Sequence, residues 1–285
     1  MFFIETEIII TQILFQLRHP LTCYLWVILT WIPLPRYYFH YWTQGGRVLL
    51  LLNEISPDFM STRSIVMDSP PWSGIDRLQS ACLGMMLLDV EATPPIEEHL
   101  FTPREAARAM RMGPRRRKGF TAARVALKRL ARQLDLVKEN RPDWEIETLG
   151  PDDVRPCLAE SEIYCSVSHS ARLVVAVGHR HPVGVDIEKV SEKAVRTWPL
   201  ITLPRERDLI SLSSLGPERT ATRVWTIKEA AAKALGLHLF QAIREIDVVR
   251  VGEEEGVMRY QEKTYPVRHG EGNGYVITLI TFNDL

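Results

Sequence analysis

Three short stretches of this chain gather side chains suited to phosphate or metal chemistry. Gly184–Val185–Asp186–Ile187–Glu188 alternates apolar and acidic residues. On a strand, residues two apart share a face, so Asp186 and Glu188 project together while Val185 and Ile187 turn to a core. Neighbouring carboxylates repel and raise each other's pKa. A hard divalent cation removes that repulsion, and Mg²⁺ commonly uses one or two carboxylates plus substrate phosphates. In Trp225–Thr226–Ile227–Lys228–Glu229–Ala230–Ala231–Ala232–Lys233, Trp225, Glu229 and Lys233 recur every four residues and so share one helix face. Ser166–Val167–Ser168–His169–Ser170 offers hydroxyls and an imidazole at a strand end, a compact arc of donors for phosphate. A Ser–His–Asp hydrolase fits poorly, because adjacent Ser and His do not easily form the nucleophile–base bond and no nucleophile elbow surrounds the serine. Taken singly, each stretch also has an ordinary reading: two solvated acids, a surface ion pair worth about 0.2–0.5 kcal/mol, and a polar loop with a satisfied histidine.

The elements that must carry these residues are mixed. Cys82–Leu88 reads as a first buried strand ended by Pro94–Pro95. Phe101–Arg132 reads as two helices: Thr102 and Glu105 have capping-box spacing, Pro103 suits the first helical position, and Gly113–Pro114 makes the break. Tyr164–Val167 and Leu173–Val177 read as strands flanking Ser168–His169–Ser170, and Val183–Ile187 as a third strand. Glu206–Leu212 reads as a helix, as does Thr222–Leu235, closed by Gly236. Ile246–Val251, Val257–Tyr260 and Tyr275–Phe282 read as closing strands. The fold class is α+β.

The 285 residues carry a formal net charge of +0, so no global field favours nucleic acid or membrane. The local exception is Arg104–Arg132, which holds eleven Arg and Lys residues against Glu105 alone. Cys23, Cys82, Cys157 and Cys165 have no metal-knuckle or redox spacing, which fits buried thiols in a reducing compartment. Residues 1–72 form a hydrophobic N-terminal extension and linker. Its apolar runs are interrupted by Arg18, Pro20 and Pro33 and fall short of the ~20 residues of a spanning helix. A membrane-associating segment, with contact through residues 8–42, an ordered extension and a poorly structured region all remain open there; membrane contact is not favoured.

Together the three stretches resemble the 4′-phosphopantetheinyl transferase superfamily, whose pattern is a Ser-His loop, a Gly-x-Asp-x-Glu strand and Trp-x-x-Lys-Glu-Ala-x-x-Lys. The resemblance covers about residues 83–285, and the length is similar to the larger single-chain class. It implies two pseudo-symmetric subdomains, 73–165 with the basic segment and 166–285 with the metal site. It implies a cytoplasmic monomer that moves phosphopantetheine from coenzyme A to a serine of an apo acyl or peptidyl carrier protein. On that resemblance Asp186, Glu188 and Glu229 hold Mg²⁺, and Lys233 neutralises charge on the leaving 3′,5′-ADP. Arg116, Arg117, Arg124, Ser168, His169 and Lys233 contact coenzyme A. The proton of the carrier serine goes to Glu229 or to a water on the cation. The rival reading is a non-catalytic nucleic-acid-binding or membrane-associated protein using residues 104–132, which leaves the three carboxylates without a purpose.

Overall fold

A computed structural model of the chain describes residues 37–44, 47–54, 72–90, 99–152, 155–159 and 161–283. They fall into two units, residues 1–60 and 61–285. The first contains one antiparallel hairpin, β1 (Tyr37–Gln44) with β2 (Arg47–Glu54), Tyr37 opposite Glu54 and Gln44 opposite Arg47. Most of the N-terminal extension lies outside the described residues, as do Cys23 and Pro94–Pro95. Among the described residues no helix is long and apolar enough to cross a membrane.

The second unit is α+β, and its sequence alternation explains its layers. A three-stranded antiparallel sheet has β5 (Leu173–His179) between β3 (Gly84–Asp89) and β4 (Tyr164–Ser170). Along β5, Val174 and Ala176 face one core while Leu173, Val175 and Val177 face another, as period two requires. The first core is covered by α3 (Pro114–Gln133), through Ala122, Ala126, Leu127 and Leu130. The second is shared with Val183, Val185 and Ile187 of β6 (Val183–Lys189). β6 is the edge of a five-stranded antiparallel sheet ordered β6-β10-β9-β8-β7, where β7 is Asp247–Val251, β8 Glu255–Tyr260, β9 Lys263–Gly272 and β10 Tyr275–Thr281. Its far face is covered by α6 (Pro217–Leu235) through Val224, Ile227 and Ala231. The order is therefore helix, sheet, sheet, helix. Burying each of these Leu, Ile and Val side chains contributes about 1.5–3 kcal/mol.

Shorter helices complete the unit: α1 (Ile75–Ser80), α2 (Pro103–Met110), α4 (Glu192–Ile201), α5 (Leu209–Leu212) and α7 (Leu239–Glu245). The capping box of Thr102 and Glu105 forms on α2, and Gly236 closes α6 in the left-handed conformation at φ 68°. Two expectations are corrected, and one strand was missed. Ser168–His169–Ser170 is not a loop between strands: β4 continues through it, paired to β5 as far as Ser170 opposite Leu173. The Glu206–Leu212 helix is a 3₁₀ turn (Pro204–Glu206) followed by the single turn α5. β9 was not anticipated, because Pro266 and the polar run around it argue against a central strand; Tyr265, Val267 and His269 nonetheless alternate inward. β4 and β5 pair with β3, so the first sheet draws strands from beyond the expected 165/166 boundary, and the sheets change between His179 and Val183.

Candidate active site

The face of β6 opposite its apolar residues carries Gly184, Asp186 and Glu188 and is turned to α6. Gly184 sets how close the helix comes: a methyl there would lie 1.8 Å from the Ala230 carbonyl oxygen. The backbone of α6 thus rests on the strand. Between Thr220 and Ala232 every residue of α6 is buried except Trp225 and Glu229, so the helix line anticipated from the sequence is the one left accessible. Lys233, one turn beyond, donates from Nζ to the Val185 carbonyl at 3.1 Å and to Asp186 Oδ1 at 2.8 Å.

β4 supplies hydroxyls to the same strand. Ser166 Oγ accepts from the Val185 amide at 3.0 Å, Ser168 Oγ donates to Asp186 Oδ1 at 2.6 Å, and Ser170 Oγ donates to Glu188 Oε2 at 2.7 Å. The period-two spacing of these serines was a visible signal, but the acids they orient are 18 residues away in both donor pairs. Ser168, expected to face a phosphate, spends its proton on Asp186. Ser170 and Gly184 lay inside the anticipated stretches, but no individual role was expected of either.

The electrostatics fit a cluster waiting for positive charge. Burial raises the Glu229 pKa, the Asp186 carboxylate raises it further and Glu188 adds to this, against Lys233. Burial also raises Glu188, with Asp186 adding and the Ser170 hydrogen bond opposing. Asp186 Oδ2 is buried without a hydrogen-bond partner. Among the described residues no three His, Cys, Asp or Glu are drawn into a ready-made metal cluster, but the donor set fits a hard cation. It consists of carboxylate oxygens alone, one orphaned and two held above their ordinary pKa.

His169 links this strand to the other half of the unit. The Cβ that Gly119 lacks would fall 2.6–3.0 Å from three atoms of the imidazole, so the absent side chain on α3 seats the ring. Burial, then the Lys233 ammonium, holds His169 below its usual pKa, with Asp186 opposing. The basic run therefore passes beside His169 at Gly119, though its members differ. Arg116 is exposed. Arg117 donates to the carbonyls of Ala109 at 3.1 Å and Met112 at 3.5 Å. Arg124 is buried, donating to Thr148 O at 2.7 Å, with its guanidinium 4.9 Å from the Phe120 ring centroid. Asp186, Glu188, Ser168 and Lys233 thus lie together with Glu229, whereas Arg117 and Arg124 face into the chain.

Residues 182–280, which include β6, α6 and all three carboxylates, match the family model of the 4′-phosphopantetheinyl transferase superfamily. The chain carries a domain of that superfamily. It is similar to Enterobactin synthase component D of Escherichia coli O157:H7, 24% identical over 129 residues, which is 45% of this chain and 63% of that protein. It is also similar to 4′-phosphopantetheinyl transferase gsp of Aneurinibacillus migulanus, 30% identical over 109 residues, 37% of this chain and 45% of that protein. The chain thus spans 45% to 63% of the length of these curated relatives. The matched stretch takes in both the acid strand and the α6 motif, and each supplies part of the carboxylate group.

Proposed function

We propose that this chain is a magnesium-dependent 4′-phosphopantetheinyl transferase of the larger single-chain class, transferring phosphopantetheine from coenzyme A to a serine of an apo acyl or peptidyl carrier protein. The observation that carries this reading is the convergence of Asp186, Glu188, Glu229 and Lys233 between β6 and α6, inside the stretch that matches the superfamily. Asp186, Glu188 and Glu229 would hold a magnesium ion, which when bound supplies charge neutralisation at a diphosphate.

The chain's own residues do the rest. Lys233, held on Asp186, places its ammonium where charge develops on departing 3′,5′-ADP. Glu229 is the proposed acceptor of the carrier serine's proton, and its raised pKa makes it a stronger base than an ordinary carboxylate. Transfer to phosphorus depends mainly on positioning and electrostatics, so acids and a lysine suffice. Arg116 and His169 present accessible donors to coenzyme A phosphates. Arg117, Arg124 and Ser168 complete the proposed contact set by shaping it: Arg117 ties down the end of α2, Arg124 holds the segment at Thr148, and Ser168 aims Asp186.

The exposed cations Arg111, Arg115, Arg116 and Lys118 would steer an acidic carrier. Lys128 is fully buried and Arg132 is paired with Asp143 at 2.6 Å, so less of the run is left for a nucleic acid than its sequence suggests. Cys82, Cys157 and Cys165 are free thiols, which supports cytoplasmic action. We further propose that the catalytic region is a monomer of two pseudo-symmetric halves.

The test is to mix the full chain with coenzyme A, Mg²⁺ and an apo carrier, and to weigh the carrier by mass spectrometry. A gain of one phosphopantetheine, lost with EDTA and with Asp186→Ala, is expected. No gain with a folded chain across several carriers would sink the activity.

A further inference from the structure

A four-residue pattern occurs twice before the two long helices: Thr102–Pro103–Arg104–Glu105 and Leu203–Pro204–Arg205–Glu206. In both places the glutamate caps its own turn, accepting at Oε2 from the Thr102 amide at 3.1 Å or the Leu203 amide at 2.6 Å. In both, a lysine on the next long helix reaches that same oxygen. Lys128 of α3 lies 23 residues after Glu105 and Lys228 of α6 lies 22 after Glu206, at 2.7 and 2.8 Å. Each lysine completes its three donors on backbone carbonyls, Leu100 and Asp143 for Lys128, Ile243 and Ile246 for Lys228. Each glutamate accepts at Oε1 from the amide of a residue further along, Thr148 at 3.1 Å or Val248 at 2.6 Å. All four side chains are 0% exposed.

The same clamp therefore grips both long helices, yet only one of them bears the carboxylate cluster. Lys128 is followed by Arg129, and Lys228 by Glu229. Lys228 thus stands within the α6 motif but points away from its chemistry, toward Glu206 and the end of α7. Three fixed acceptors on one ammonium fix the rotation of α6 about its axis, and Glu229 is the adjacent side chain. A side chain ~6 Å from the axis moves about 1 Å for a 10° rotation, and displacement of that size can cost on the order of 10²-fold in rate.

We propose that Glu206 and Lys228 are positioning residues that aim Glu229 at Asp186 and Glu188, and that Glu105 and Lys128 form the matching clamp with no aiming role. This rests on the cation site proposed above.

The test uses the full chain with Glu206→Gln/Lys228→Met and, separately, Glu105→Gln/Lys128→Met; each pair removes both charges while roughly preserving volume. The probe is Mn²⁺ alone, titrated by the electron-resonance signal of the free ion, without coenzyme A or carrier. Both variants are expected to lose melting temperature. Only the first is expected to weaken Mn²⁺ binding, by tenfold or more, and adding Glu229→Gln to it should change little further. Equal weakening in both variants, or none in either, would overturn the aiming role. So would a wild-type chain that binds no Mn²⁺, whereas failure to modify any carrier with Mn²⁺ binding intact would count against the transferase reading alone. Should the first variant not fold, Lys228→Arg keeps the charge with a longer reach and is read the same way.

Discussion

Gly184→Ala tests the contact on which the site depends. The new methyl would lie 1.8 Å from Ala230 O, 2.7 Å from Ala230 C and 3.0 Å from Ala234 N. All three are backbone atoms, so no rotamer change relieves the clash. A carbon–oxygen contact settles at about 3.3 Å, so α6 must retreat from β6 by roughly 1.5 Å. Overpacking of a close-packed interior costs about 1–3 kcal/mol, and a clash with rigid backbone belongs at the upper end. At roughly 2–4 °C per kcal/mol for a unit of this size, about 3 kcal/mol lowers the melting temperature by about 6–12 °C. The retreat also carries Glu229 and Lys233 from Asp186. The Lys233 Nζ–Asp186 Oδ1 bond, now 2.8 Å, would open beyond hydrogen-bonding range. Transfer to a carrier should fall by about 10²-fold. Calorimetry and the initial rate of 3′,5′-ADP release measure the two effects. A melting temperature within ~2 °C of wild type together with an undiminished rate would refute the claim that strand and helix touch through their backbones here.

Three other outcomes follow from the same geometry. Gly119→Ala should behave in the opposite way, because the atoms in its path belong to the His169 ring, which can rotate. Alanine also favours a helix over glycine by about 0.5–1 kcal/mol, so stability should hold or rise while the KM for coenzyme A increases; an unchanged KM would show that His169 does not meet the substrate. Burial, with the Asp186 carboxylate adding to it, raises the pKa of both Glu188 and Glu229 above the ordinary carboxylate value. Their stabilising contribution is present below the unfolded value of about 4.3 and is lost as pH rises through the raised folded values. The gain in melting temperature from saturating Mg²⁺ should therefore be larger at pH 7 than at pH 5, and a gain independent of pH would argue against these two ligands. Burial drives His269, bonded to Thr278 Oγ1 at 2.9 Å, down to a pKa of about 3. An unfolded histidine takes its proton near 6.5, so this contribution is complete above that pH and declines toward 3, at ~1.4 kcal/mol per pH unit. Between pH 7 and pH 5 the wild type should lose about 2 kcal/mol through His269, and urea midpoints of His269→Asn should lack that part of the decline; the same loss in both proteins would refute it.

The sequence exposed those parts of the site that are local along the chain. Asp186 with Glu188, and Trp225 with Glu229 and Lys233, are spaced by the periods of a strand and a helix, so their shared faces needed no tertiary information. The capping box at Thr102 and the stop at Gly236 are equally local. β9 was hidden because pairing on both sides of it overrode the local preference of Pro266. Ser166, Ser168 and Ser170 had the right period, but nothing in it said that their partners lay on β6 rather than on a phosphate.

The basic run shows where composition misleads. In sequence Arg124, Lys128 and Arg116 are equivalent cations on one segment. In the fold, Lys128 and Arg124 are inside, where burial lowers both pKa values and Glu105 opposes the shift, and Arg116 is outside. Helical rotation of 100° per residue separates them, yet α3 has no simple polar face because its inward cations are paired with Glu105 and the Thr148 carbonyl. Lys228 and Glu229 pose the same problem within the α6 motif. Side by side in sequence, they face different partners: Lys228 reaches Glu206, and Glu229 feels Asp186 and Glu188. A motif therefore combines residues required by the chemistry with residues required by the placement of that chemistry, and only the acceptors at the far end of each side chain tell the two apart.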